Sequence, residues 1–141
     1  MRHFFVFLIL LYASVHDIKS MEVPDICFVL ILFSAKNLNL HNALGFGIVI
    51  LFYFVIAFIC GILGYGVPFG MADAKIFAAL AFSFGAFCAL WIFCVSSMLA
   101  GIFAAYLVLL KKESKTTCFP YVPFITAAWS AYLLQLLVQG K

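Results

Sequence analysis

Two aspartates are the residues of this chain best placed to do chemistry. Asp17 closes the first apolar run, and Asp73 opens a later one. A carboxylate at the edge of a hydrocarbon layer is expensive, and by default it marks a functional site. Two carboxyls brought to one place cannot both ionise cheaply, so one keeps its proton while the other stays a base. Such a pair can accept one proton and deliver another around a single reacting group. A plainer role for an acid at a helix end is capping. Asp73 stands near a helix N-terminus, where the helix dipole favours negative charge. Asp17 stands at the C-terminal end of its run, where the dipole opposes it, so capping is expected to account for Asp73 alone. His16 adjoins Asp17 but projects about 100° away on a helix. His3 and His41 are isolated as well. A metal site needs convergent ligands, so none is expected here.

The elements that must position these acids are membrane helices. The chain has 141 residues, 68% of them apolar and only 9% charged, and its mean hydropathy of +1.26 is too high for a water-facing fold. Lipid offers backbone groups no partner, so a span must be a helix or a closed barrel. The apolar runs are continuous rather than alternating, which favours helices. The expected fold is one all-α membrane domain over 1–141 with about six transmembrane helices. They cover roughly Phe4 to Asp17, Asp25 to Ala35 (with a possible extension through Leu40), Ala43 to Leu63, Met71 to Phe87, Leu90 to Leu110 and Pro123 to Val138. Lys36, Asn37 and Asn39 make the second span the weakest. Arg2 and His3 ahead of an apolar stretch mimic a signal peptide, but Ser14-Val15-His16-Asp17 is a poor cleavage site, so this segment reads as a retained first helix. Small residues recur at four-residue spacing in two sets, Ala81/Gly85/Ala89 and Ser97/Gly101/Ala105. Intramolecular helix contact is their expected use, with a dimer face as the alternative.

Loop charges give the orientation. With six spans, the side holding the first, third and fifth loops carries Lys19, Lys75, Lys111, Lys112 and Lys115; the other carries Arg2, Lys36 and Lys141. The positive-inside rule therefore puts the first side in the cytoplasm and both termini outside. Asp17, Glu22, Asp25, Asp73 and Glu113 all fall on that cytoplasmic side. The net charge of +3 is small and scattered, which excludes a nucleic-acid surface. The lysines at 111–115 read as a topogenic loop. The five cysteines (Cys27, Cys60, Cys88, Cys94 and Cys118) include no CxxC pair, which argues against a zinc site. Gly64, Gly66, Pro68 and Gly70 read as a turn or a gating loop ahead of Asp73. No Gly-Lys-Ser/Thr follows, so they are not a phosphate loop.

Three local patterns occur in order. The first is Asp17-Ile-Lys-Ser-Met-Glu-Val-Pro-Asp25, the second Gly70-Met-Ala-Asp73-Ala-Lys75, and the third Phe119-Pro-Tyr-Val-Pro-Phe124. Together they resemble the type IV prepilin peptidase family, and the resemblance spans essentially the whole chain. That family shows an Asp, then a Pro followed by Asn or Asp, then Gly-x-Gly-Asp-x-Lys, then a Pro-Phe-x-Pro-Phe-like approach to a late span. The family's second glycine is Ala72 here.

The resemblance implies an intramembrane aspartyl endopeptidase of the bacterial inner membrane. Asp17 and Asp73 would be catalytic, with Gly70, Ala72, Lys75, Pro24 and Asp25 supporting the site or the substrate. Pro24 and Asp25 also read as a helix start, and Lys75 as a positive-inside charge. The implied partners are type IV prepilin-like precursors and membrane lipid, with no cofactor and no metal. Precursor leaders are short and basic and are cut at the cytoplasmic face ahead of a hydrophobic stretch. Acidic residues on that face suit a basic leader. Larger members carry a cysteine-bearing cytoplasmic domain and also N-methylate the new terminus. The short first loop here has no cysteine, so no methyltransferase activity is expected. A rival reading is a non-enzymatic membrane subunit or a small ion or proton transporter. A transporter would usually carry inverted repeats and mid-span charges, and neither is visible.

Overall fold

The computed structural model describes residues 1–35, 39–62, 70–109 and 119–140. Among these residues six helices follow one another: α1 (Arg2–Ser20), α2 (Asp25–Phe33), α3 (Leu40–Ile62), α4 (Met71–Phe84), α5 (Ala86–Leu109) and α6 (Val122–Val138). No strand occurs among the described residues. Among the described residues, three helices are long and apolar enough to cross a membrane: Arg2–Ser20, Asn42–Ile62 and Ala86–Leu109. α6 is shorter and also apolar. α2 and α4 have 9 and 14 residues, a rise of about 14 and about 21 Å against a hydrocarbon core of about 30 Å.

Local chemistry sets the boundaries. α1 ends where Met21 turns left-handed (φ 54°) and its N–H bonds the Asp17 carbonyl at 2.8 Å. Pro24 then restarts the chain, with Asp25 in the first turn of α2. Pro123 sits in the first turn of α6, where its missing N–H costs nothing.

The split between the fourth and fifth helices differs from the sequence expectation. It falls at Gly85, not at 88–90, because Gly85 holds φ 95° and ψ 154°, a conformation open in practice to glycine alone. Ala81, Gly85 and Ala89 are therefore not one helical ridge. The close approach there comes instead from Gly45 on α3, where an added Cβ would lie 3.2 Å from the Ala86 Cβ. Of the second small-residue set, Gly101 and Ala105 are exposed and make no intramolecular contact surface, and Ser97 bonds Tyr121. The 64–69 part of the glycine-rich stretch, residues 36–38, the lysines at 111–115, Cys118 and Lys141 lie outside the described residues.

α4 is the axis of the bundle. It packs on α2, α3 and α5, while α1 packs on α2 and α6, and α6 on α5. Nearly all of its residues from Asp73 to Ser83 are buried. Ala74, Ala78, Ala79 and Ala81 let its neighbours come close. Leu10, Ile31, Leu80, Ile92, Ile125 and Trp129 complete the core. α3 is the opposite case. Leu51, Phe54, Phe58 and Ile62 all point outward, a surface that suits lipid rather than water.

Candidate active site

The sequence places Asp17 at the end of α1, and the fold brings a different helix end to it. Its side chain is 7% exposed. Its Oδ2 accepts a hydrogen bond from the Val122 N–H at 3.0 Å. Val122 is the first residue of α6, and its N–H is one of the donors a helix leaves unpaired at its start. Tyr121 supplies no side-chain cap there. Asp17 thus caps α6 from a neighbouring helix, at the positive end of the α6 dipole. This overturns the expectation that capping accounts for Asp73 alone. The dipole of α1 opposes charge at Asp17, but that of α6 favours it. One turn deeper, the buried Ser14 and Thr126 hydroxyls lie 2.6 Å apart, and both reach the Leu10 carbonyl (2.8 and 3.1 Å). These bonds tie α1 to α6.

Asp73 is the third residue of α4 and is 8% exposed. Its Oδ2 accepts from the Gly70 N–H at 3.0 Å. Gly70 precedes the helix with ordinary extended dihedrals (φ −67°, ψ 155°), and an added Cβ would meet Asp73 Oδ2 at 3.4 Å, a normal contact. Ala72 lies in the first turn of α4 and is half-buried. Its backbone is not in the positive-φ region, so alanine fits where the family pattern has glycine.

Both aspartates lie at the same end of the bundle. The two carboxyls are close enough to interact. Each uses Oδ2 on a backbone N–H, and each leaves Oδ1 without a hydrogen-bond partner among the described residues. The geometry is that of two buried carboxyls, each held at a helix start, each with one oxygen available to a water or a carbonyl.

Of the supporting residues, Lys75 and Asp25 form an ion pair at 2.6 Å that ties the start of α4 to the start of α2. Both remain well exposed (40% and 76%), so the pair holds the helix starts together at the rim of the site. Pro24 precedes α2 as its N-cap. His16 Nδ1 lies 2.9 Å from the Glu22 carbonyl and from Ser20 Oγ, fastening the short connection between α1 and α2. The side chain of His41 lies outside the described residues.

Tyr121 is the site residue that sequence reasoning missed. Its hydroxyl lies 3.0 Å from both Ser96 Oγ and Ser97 Oγ on α5. Its ring meets Phe77, one turn past Asp73, with centroids 6.3 Å apart. Burial raises its phenol pKa, the two serine hydroxyls pull it back, and the Asp73 charge adds to the rise. The group therefore remains a neutral phenol. Its place between the two prolines of Phe119-Pro-Tyr-Val-Pro-Phe124 was the available signal. Among the described residues, no three His, Cys, Asp or Glu side chains converge as a metal site would require.

Comparison with known proteins places this geometry in a family. Neither the curated proteins nor the solved structures include a match to the chain. The model of the type IV leader peptidase family matches residues 4–105, a range that contains both aspartates, Pro24, Asp25, Gly70 and Lys75. The chain therefore belongs to the type IV leader peptidase family.

Proposed function

We infer that this peptidase cuts by an aspartate pair, with Asp17 and Asp73 activating a water between them. The observation that carries the reading is the matched capping. Two buried carboxyls, remote in sequence, occupy helix starts at one end of the bundle and keep one oxygen each for chemistry. One carboxylate takes a proton from water, and the water oxygen attacks the scissile carbonyl. The other, protonated, gives its proton to the carbonyl oxygen. As the tetrahedral intermediate collapses, the C–N bond breaks and the leaving amine receives a proton. The two carboxyls titrate as a pair, so base and acid belong to the dyad rather than to either residue.

The substrate class proposed is the short basic leader of a type IV prepilin-like precursor, cut at the cytoplasmic face of a bacterial inner membrane. Asp25 and Glu22, exposed at the same end as the dyad, suit a basic segment. The proposal includes six membrane crossings with both termini outside, supported by the order of the six helices and by the loop charges. Methyltransferase activity is not part of the proposal. The test is cleavage of a leader-bearing precursor in membranes. Asp17→Asn and Asp73→Asn should each abolish cleavage while the protein still inserts, and full activity in either variant would exclude the dyad.

A further inference from the structure

Three hydroxyls meet beside the start of α6. The Tyr121 hydroxyl lies 3.0 Å from both Ser96 Oγ and Ser97 Oγ, and Ser96 Oγ also donates to the Phe93 carbonyl at 3.1 Å. Ser96, Ser97 and Phe93 all belong to α5, so these contacts join the start of α6 to α5. Linked hydroxyls of this kind strengthen one another's bonds.

Its anchor point matters because of what comes next in sequence. The rigid peptide unit between Tyr121 and Val122 carries the N–H that Asp17 accepts. The Tyr121 ring also rests on Phe77, which shares a face of α4 with Asp73. One side chain thus touches the helix of Asp73 and, through its own peptide, orients the donor to Asp17.

We propose that Tyr121 is a positioning residue of the site: its phenol pins the start of α6 to α5 so that the Val122 N–H holds Asp17 toward Asp73. The proposal rests on the dyad reading, and its test separates the two. Tyr121→Phe keeps the ring and removes the hydroxyl. It should lower kcat for precursor cleavage about tenfold, the effect of one lost hydrogen bond, and leave KM unchanged. Ser96→Ala should act in the same direction, and the double variant should lose less than the two single losses multiplied together. The Val122 amide, followed by NMR hydrogen exchange in micelles with no substrate present, should exchange about tenfold faster in Tyr121→Phe. Unchanged kcat with unchanged exchange overturns the proposal. So does a raised KM at constant kcat, which marks a substrate contact instead. If the wild-type protein cleaves no leader-bearing precursor, the dyad reading fails, and Val122 exchange alone decides the anchor. Should Tyr121→Phe fail to fold, Ser97→Ala removes one of the two hydroxyl contacts and keeps the phenol–Ser96 bond. Slower turnover and faster exchange then support the anchor, and wild-type values sink it.

Discussion

Asp17 does two things that substitution can separate. Its carboxylate is a proposed reactant, and it is also the acceptor for a buried helix-start N–H. Asn keeps an acceptor oxygen and loses the ionisable group, whereas Ala leaves the Val122 N–H unpaired. Asp17→Asn should therefore unfold at close to the wild-type temperature in detergent and show no cleavage. Asp17→Ala should be equally inactive and less stable by about 1–2 kcal/mol, the usual cost of a lost cap. Equal stability of the two variants would show that the Val122 bond is unimportant. Ala72 invites the reverse experiment. It occupies an ordinary helical position, so Ala72→Gly restores the family pattern at a cost of up to about 1 kcal/mol of helix stability. Precursor cleavage should persist in that variant, because the Asp73 bond to the Gly70 N–H is untouched.

At the scale of helices, Gly85 does the most with the least. It separates α4 from α5 in a conformation that other residues reach only under strain, yet a side chain there would meet open space. Gly85→Ala should cost about 1–3 kcal/mol through the backbone alone, seen as a lower unfolding midpoint with no loss of helix in far-UV circular dichroism. The Lys75–Asp25 pair is a weaker tie. Lys75→Met should cost less than about 1 kcal/mol, and the difference should fade as salt rises. These elements differ in how far the sequence disclosed them. Helix order, the Pro24-Asp25 start and the place of both acids at helix ends were legible, because apolar runs, proline and charge act locally. The Gly85 break was visible as a residue but was read as a contact point. Small residues serve both uses, and only the backbone angle distinguishes them. The cap that Asp17 gives α6 was not legible at all, since it depends on a helix that begins 105 residues later. The same holds for the bonds of Tyr121 to Ser96 and Ser97, which need α5 and α6 side by side.

For the whole molecule, the question is which way the bundle stands in the membrane. The apolar outer surface of α3 fits lipid around its middle. The ends are told apart by charge and by contact. One end gathers Asp17, Asp73 and the Lys75–Asp25 pair. The other joins Arg2 on α1 to Phe84 at the close of α4, with the guanidinium carbon 4.4 Å from the ring centroid. Both aspartates must share a compartment for the proposed dyad to exist, and the proposal, resting on the positive-inside count, assigns that compartment to the cytoplasm. Single cysteines at the exposed positions Glu22, Met71 and Gly140 test both statements, once the five native cysteines are replaced. A membrane-impermeant maleimide should label Glu22→Cys and Met71→Cys only in inverted vesicles, and Gly140→Cys only in right-side-out ones. Labelling of positions 22 and 71 from opposite sides would destroy the dyad and favour a transporter-like role. Labelling of both from the outer side would leave the dyad intact and move the cleavage site to the other face. The two failures are distinct because the first depends on how the helices cross and the second only on which loops hold the lysines.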